Sequence, residues 1–278
     1  MTAVSLITGG AGGMGVASAK VVGRDRAVVL ADVRKERLDA AAAELAEQGI
    51  AATAVYCDVT DRDAVGRLFE AVAQVGPLHS VIHTAGVSPS MGDAEYVMRT
   101  NAIGTLNVNE EFFARAGEGA AIVNVASMAA HLMPGEMIPS AAFPLALSDI
   151  DAFMAATLQA CDIAGPEARS GLAYAVSKSF VRWFSSAHAE RFNGKGLRIV
   201  SVSPGSVDTE MGRLEEQAGA GALVADAAVP RWGKPEEMAE LLAFCVSDKA
   251  GYLTGTDILN DGGVVASMTE RARVAQSG

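Results

Sequence analysis

Two sets of residues carry chemistry that the rest of the chain must position. The first is Tyr174-Ala175-Val176-Ser177-Lys178, in which a phenol and an ammonium stand four residues apart and so share one face of a helix. A phenol with a reference pKa of about 10 is a poor acid or base at neutral pH, but an ammonium beside it favours the phenolate. At ~4 Å and an effective dielectric of ~20 that attraction is about 4 kcal/mol, or roughly three pKa units. The pair therefore reads as a proton-exchanging group. The same spacing also arises by chance in a chain with four tyrosines and six lysines, so its meaning depends on a matching cofactor site.

Thr8-Gly9-Gly10-Ala11-Gly12-Gly13-Met14-Gly15 fits T-G-x-x-x-G-x-G and supplies that second set. Glycines here let the backbone turn tightly and approach a pyrophosphate, which would lie at a helix N-terminus where free N–H groups and the dipole favour an anion. A glycine-rich turn alone is weak evidence. This one follows an apolar strand, opens a helix and is followed by Asp32 at the end of the next strand. A carboxylate there accepts hydrogen bonds from the adenosine ribose and repels a 2′-phosphate, so NAD is expected over NADP. Neither Gly12 nor Val33 offers a basic side chain to that phosphate; Arg34 is the one cation near enough, and reads as an exposed helix-start residue.

The elements that must hold these residues are short β-branched runs alternating with amphipathic helical stretches, the pattern of a parallel sheet covered on both faces. Strands are expected at Ala3–Thr8, Ala27–Asp32, Ala52–Tyr56, Ser80–His83, Ala120–Val125, Leu197–Val202 and Thr256–Leu259. Helices are expected at about Gly13–Gly23, Lys35–Gln48, Asp61–Gln74, Ala94–Ala116, Gly171–Phe192 and Pro235–Val246. Regularity breaks between Ser127 and Ser170, a stretch punctuated by four prolines, where one short helix around Ser148–Ala160 has Ser148 and Asp149 as caps. A Gly- and Ala-rich segment at about 206–230 reads as a mobile lid, and the tail at about 264–278 as flexible. The fold class is α/β, a doubly wound sheet of about seven strands in one domain.

Composition bounds the function. The chain has 278 residues, 50% hydrophobic and 20% charged, enough for one large core. Its net charge of -11, without any run of Lys or Arg, argues against nucleic acid or an anionic membrane as partner. Cys57, Cys161 and Cys245 are far apart and show no metal-ligand spacing, so reduced thiols, no metal and a cytoplasmic location are expected. A first strand beginning at Ala3 leaves no room for a signal peptide, and no apolar run approaches the ~18 residues of a membrane span.

With the loop, Asp32 and the Tyr174/Lys178 pair in hand, the chain resembles the short-chain dehydrogenase/reductase family from about Ala3 to Gly263. Further motifs match in order: Asp58-Val59 after strand three, Ala85-Gly86 after strand four, Asn101 in Arg99–Gly104, and Ser127 after strand five. Pro204-Gly205-Ser206-Val207-Asp208-Thr209 follows strand six and Asp261-Gly262-Gly263 closes the last strand. The resemblance implies that Tyr174 exchanges a proton with the substrate oxygen, Ser127 hydrogen-bonds that oxygen, Lys178 grips the nicotinamide ribose, and Asn101 holds a water that continues the proton path. It also implies dinucleotide contacts from Gly9, Gly13, Met14, Gly15, Asp32 and Val33, and from Asp58 and Val59 at the adenine. Ala85, Gly86, Pro204, Gly205, Val207 and Thr209 would lie around the ribose and carboxamide, with Tyr174 and Lys178.

Two departures stand out. His83-Thr84-Ala85-Gly86 replaces the Asn-Asn-Ala-Gly of many members, and His83 reads as a satisfied strand-end residue. Ser127 and Tyr174 are 47 residues apart, where the family commonly leaves about a dozen, so roughly thirty inserted residues intrude between active-site partners. That insertion resembles the hydroxysteroid dehydrogenase/carbonyl reductase branch. Met128, Met133, Met137 and Phe143, with Met211 and Leu214, are candidates for an apolar wall around a bulky alcohol or ketone, or else for core. A homo-oligomer, dimer or tetramer, is expected through the two long helices unless the insertion remodels them. Two rivals remain at this point: an NAD-dependent epimerase or dehydratase of the extended relatives, and a non-catalytic NAD-binding regulatory protein.

Overall fold

The computed structural model describes residues 2–216 and 221–276. Seven parallel strands form one sheet in the order β3-β2-β1-β4-β5-β6-β7, from β1 Val4–Thr8, β2 Ala27–Asp32, β3 Ala52–Tyr56, β4 Leu78–His83, β5 Ala121–Val125, β6 Arg198–Pro204 and β7 Asp257–Asn260. β1, β5 and β6 are buried at every position, as a sheet covered on both faces requires. The order reverses between β1 and β4. That reversal opens a crevice beyond the strands' carboxyl ends, the place where such sheets take ligands.

Helices α1 Gly13–Val22, α2 Lys35–Glu47 and α3 Arg62–Val75 connect the first four strands. α3 shows why local sequence suffices here: Asp61 caps it by accepting from the N–H groups of Asp63 and Ala64, and Val65, Leu68, Phe69 and Val72 bury one stripe. The long helix expected at 94–116 is instead three pieces: α4 Ala94–Met98, a π-helical turn at Arg99–Ile103, and α5 Gly104–Arg115. Hydrophobic spacing does not reveal a one-residue change of pitch.

The insertion holds α6 Ala129–Leu132, a 3₁₀ run at Ser140–Leu147 containing Pro144, and α7 Ile150–Cys161. Asp149 caps α7 by accepting from Ala152 N at 2.9 Å, the cap the sequence points to. α8 runs Gly165–Ala187, starting six residues before the expected Gly171 and stopping before α9 Ala189–Asn193. Phe153 of α7 lies 5.0 Å from the Phe180 ring of α8, and Phe143 meets Phe180 edge-on at 5.5 Å, so the insertion joins the main core on α8.

After β6 come α10 Glu210–Glu215 and α11 Gly221–Asp226, within the expected lid, of which residues 217–220 lie outside the described ones. α12 Pro235–Cys245 follows. Val264–Ala275 forms a further helix, α13, where a flexible tail is expected. Asp261 accepts from Gly263 N and Val265 N at 2.8 Å, and Arg271 reaches Asp226 at 2.7 Å. The Arg271–Asp226 tie, 45 residues apart, is invisible to a local reading.

Candidate active site

α8 carries Tyr174 and Lys178 on one face, as their spacing requires. Ser127, just past β5, is held by its neighbours: Ala126 N donates to Val202 O at 2.8 Å and Met128 N to Pro204 O at 2.9 Å. The Tyr174 and Ser127 side chains line the same cavity, and Ser127 Oγ also accepts from Ala129 N at 3.2 Å. Burial pushes the Tyr174 phenol above its ordinary pKa; the nearby Ser127 hydroxyl pulls the other way, and the Glu215 charge adds to the rise. The expected depression by Lys178 is not what the geometry delivers. Lys178 Nζ donates to Val125 O at 2.9 Å and stands 5.8 Å from the Tyr174 ring centre. Burial lowers Lys178 itself to about 8, so it stays mostly charged at pH 7, but an ammonium turned to a carbonyl does little for a phenolate.

Asn101 sits in the π-helical turn, a departure from α geometry often found at functional sites. Its Oδ1 accepts from Val87 N at 2.8 Å, and its Nδ2 donates to Val87 O at 3.0 Å and to Ser177 Oγ at 3.2 Å. The side chain thus ties the loop after β4 to the helix of Tyr174 and Lys178. Below it, Thr105 Oγ1 donates to Asn101 O at 2.7 Å. That hydroxyl can then only accept from His83 Nε2 at 3.0 Å, leaving His83 Nδ1 to accept from Thr8 Oγ1 at 2.6 Å. His83 is therefore neutral with its proton on Nε2, and burial lowers its pKa to about 3. It is a structural link from β1 to Asn101, as its strand-end reading expects.

The glycine loop lines the crevice at the β1/β4 reversal. Gly9 has φ +66°, and a Cβ there would meet Ala85 N at 2.7 Å; one on Gly15 would meet Gly9 O at 2.3 Å. Gly13 packs on Thr209, and a Cβ on Gly86 would come 3.0 Å from Asn101 Oδ1 and 3.3 Å from Lys178 Nζ. α1 opens at Gly12 with no side-chain cap, leaving its first N–H groups for an anion. Asp32 Oδ1 accepts from Arg34 N at 3.0 Å and Oδ2 from Ala11 N at 3.2 Å, with acceptor capacity to spare. Val33 is exposed, Asp58 accepts from Thr60 N at 2.9 Å, and Val59 is buried against Gly104. Close backbone approach, free donors at a helix start and a carboxylate beyond them fit a dinucleotide lying from Asp32 to Lys178.

One cavity gathers Met14, Gly86, Ser127, Tyr174 and Lys178 with Pro204, Gly205, Val207 and Thr209. Of the six wall candidates, Met128 and Met211 line it. Phe143 is 1% exposed and belongs to the core, Met133 packs against that core, and Met137 and Leu214 face solvent. The sequence reading misses Leu132, Leu223 and Trp232, which complete the apolar wall, and Glu215, the acidic residue among the lining side chains. Glu215 Oε1 accepts from Ser90 N at 3.2 Å, tying α10 to the loop after β4. No signal in the sequence pairs residues so far apart. Among the described residues no cluster of His, Cys, Asp and Glu is arranged to hold a metal, and no helix is long and apolar enough to cross a membrane.

The short chain dehydrogenase family model matches residues 3–142, and a model for enoyl-(acyl carrier protein) reductase matches residues 141–265. A short-chain dehydrogenase/reductase of Alternaria brassicicola is 30% identical, covering 97% of this chain and 98% of its own. The 3beta-hydroxysteroid dehydrogenase 2 of Eggerthella lenta is 28% identical, over 93% of both chains. Among solved structures, a variant of the Serratia marcescens short-chain dehydrogenase/reductase superposes with a TM-score of 0.75 at 25% identity, covering 94% of this chain and 97% of the other. Sequence, sheet order and crevice agree, and this chain belongs to the short-chain dehydrogenases, oxidoreductases that act on CH–OH groups with a nicotinamide cofactor.

Proposed function

We propose that the protein is an NAD-dependent oxidoreductase that interconverts a secondary alcohol and a ketone on a bulky, apolar, ring-bearing skeleton. The observation that carries this reading is the Tyr174–Ser127 hydroxyl pair at an apolar cavity, with Lys178 one helical turn away. Bound nicotinamide dinucleotide supplies or accepts the hydride. Asp32 takes the adenosine ribose hydroxyls, and Gly9, Gly13 and Gly15 let the backbone meet the diphosphate. Ser127 holds the substrate oxygen against Tyr174, whose phenol, kept protonated by burial, donates its proton as a ketone is reduced and recovers it as an alcohol is oxidised. Lys178 holds the nicotinamide ribose, and Asn101 fixes the Val87 loop and the α8 face around the proton path.

Supporting the substrate class are the wall of Met128, Leu132, Met211 and Trp232 and two relatives named for ring alcohols. These are the Eggerthella lenta hydroxysteroid enzyme and the cis-4-hydroxycyclohexanecarboxylate dehydrogenase of Sinomonas cyclohexanicum, which is 28% identical over 95% of this chain. In this reading the chain is one catalytic domain, the 206–230 segment is its lid, and the working form is a cytoplasmic homo-oligomer.

The test is Tyr174→Phe assayed with hydroxysteroids, acyl-chain alcohols and sugar alcohols against NAD. Turnover should fall by about 10²–10⁴-fold while NADH binding, followed by its fluorescence, holds. Retained turnover overturns the proton-donor assignment, and oxidation of sugar alcohols in preference to hydroxysteroids overturns the substrate class.

A further inference from the structure

At the adenosine end of the crevice, four charged side chains alternate. Arg34, the residue before α2, places Nε 3.4 Å from Asp32 Oδ1 and Nη1 3.9 Å from Glu210 Oε2. Arg37, in the first turn of α2, grips Glu210 with both terminal nitrogens, Nη2 to Oε1 at 2.8 Å and Nη1 to Oε2. Glu210 comes from a different part of the molecule, the first residue of α10 in the lid. The order across the surface is Asp32, Arg34, Glu210, Arg37.

Two guanidinium groups around one anion, one of them bidentate, is an arrangement that binds phosphate. A 2′-phosphate would project from the ribose that Asp32 receives, and Arg34 touches Asp32 directly. Here the anion between the two guanidinium groups is the protein's own carboxylate. Folding gives no evident reason for it: exposed ion pairs add little stability, and α10 has separate anchors in Thr209, which accepts from Gly212 N at 3.0 Å, and in Arg213 on Asp208 at 2.7 Å. Arg37 holds the Glu210 carboxyl below its usual range, so the carboxylate is charged wherever the enzyme would meet cofactor.

We propose that Glu210 is a specificity-determining residue: delivered by the lid, its carboxylate occupies Arg34 and Arg37 and withholds them from the 2′-phosphate of NADP. The inference rests on reading Asp32 as the ribose ligand of an NAD enzyme and adds a second layer to it. Asp32 repels the phosphate from the ribose side; Glu210 neutralises the cations that would otherwise receive it. Glu210 acts through the arginines, as a positioning residue, without touching the nucleotide.

The experiment is a fluorescence titration of NADH and NADPH against the whole protein as wild type, Glu210→Gln and Glu210→Gln/Arg37→Gln. Glu210→Gln should tighten NADPH by about tenfold and leave NADH within about twofold, the scale of one released charge-assisted fork. The gain should vanish in the double variant and shrink as salt is raised. Unchanged NADPH affinity in Glu210→Gln, or an equal change for both nucleotides, overturns the proposal. If the wild type itself prefers NADPH, the Asp32 reading fails by that comparison alone. The Glu210 proposal is still decided by the difference between the single and double variants.

Discussion

The two ends of the crevice are built in different ways. The end proposed for adenosine is built mainly from β1, α1, β2 and the start of α2, a contiguous run in which each element follows the last. Ala11 N of the glycine loop donates to the Asp32 carboxylate, and Glu210 of α10 joins it from a distance. The substrate end comes from four separate places: the loop after β4, the insertion after β5, α8, and the segment after β6. Local backbone geometry dictates the first end, whereas the second exists only once distant segments have packed. An end that is backbone-determined tolerates little change; one assembled from side chains is free to vary its substrate.

That contrast can be broken at either end. The largest effect is expected from Phe153→Ala, which removes a fully buried ring from the insertion's seam with α8 and should cost about 3–5 kcal/mol in urea unfolding. NADH affinity should survive under folding conditions; its loss would show that the two ends are not separable. Gly15→Ala is the reverse test. A Cβ 2.3 Å from Gly9 O must displace the loop, and NADH binding should weaken by about 2–3 kcal/mol, read by fluorescence, with thermal stability changed far less than by Phe153→Ala.

His83→Asn probes the link between the ends. A histidine lowered to about 3 in the fold binds its proton more readily when unfolded, so stability falls as pH drops below the unfolded value of about 6.5. Between pH 7 and 5 the wild type should lose about 2 kcal/mol that the asparagine variant keeps, measured by urea midpoints at the two pH values; identical losses would remove the neutral-histidine assignment. The smallest effect belongs to Glu215→Gln. It removes a charge that raises the Tyr174 pKa, so the acidic limb of the alcohol-oxidation profile, where Tyr174 must be deprotonated to act as base, should move to lower pH with NADH affinity unchanged.

Much of the fold was legible because it repeats a local rule. Apolar β-branched runs alternate with helical stripes, and all seven strands lie within a few residues of where those runs point. The glycine loop, Asp32 and the Tyr174/Lys178 face were legible for the same reason: each depends on residues adjacent in sequence or one helical turn apart. The register of Asn101 was not, since a π turn depends on the bonds Asn101 makes to Val87 and Ser177, residues that only the folded chain brings near. Nor was the Tyr174 pKa, because the lysine four residues away proved to face Val125 O, and the enclosing side chains decide the burial cost.

The sequence by itself determined the sheet, the crevice at its reversal and the identity of the groups proposed here for proton chemistry, because periodicity and short-range spacing specify them. Only the tertiary structure decided which insertion residues wall the cavity and which fill the core, that Glu215 ties α10 to Ser90, and that Glu210 stands between Arg34 and Arg37. Those facts are contacts between groups more than a hundred residues apart, or choices between two buried environments that hydrophobicity alone cannot distinguish.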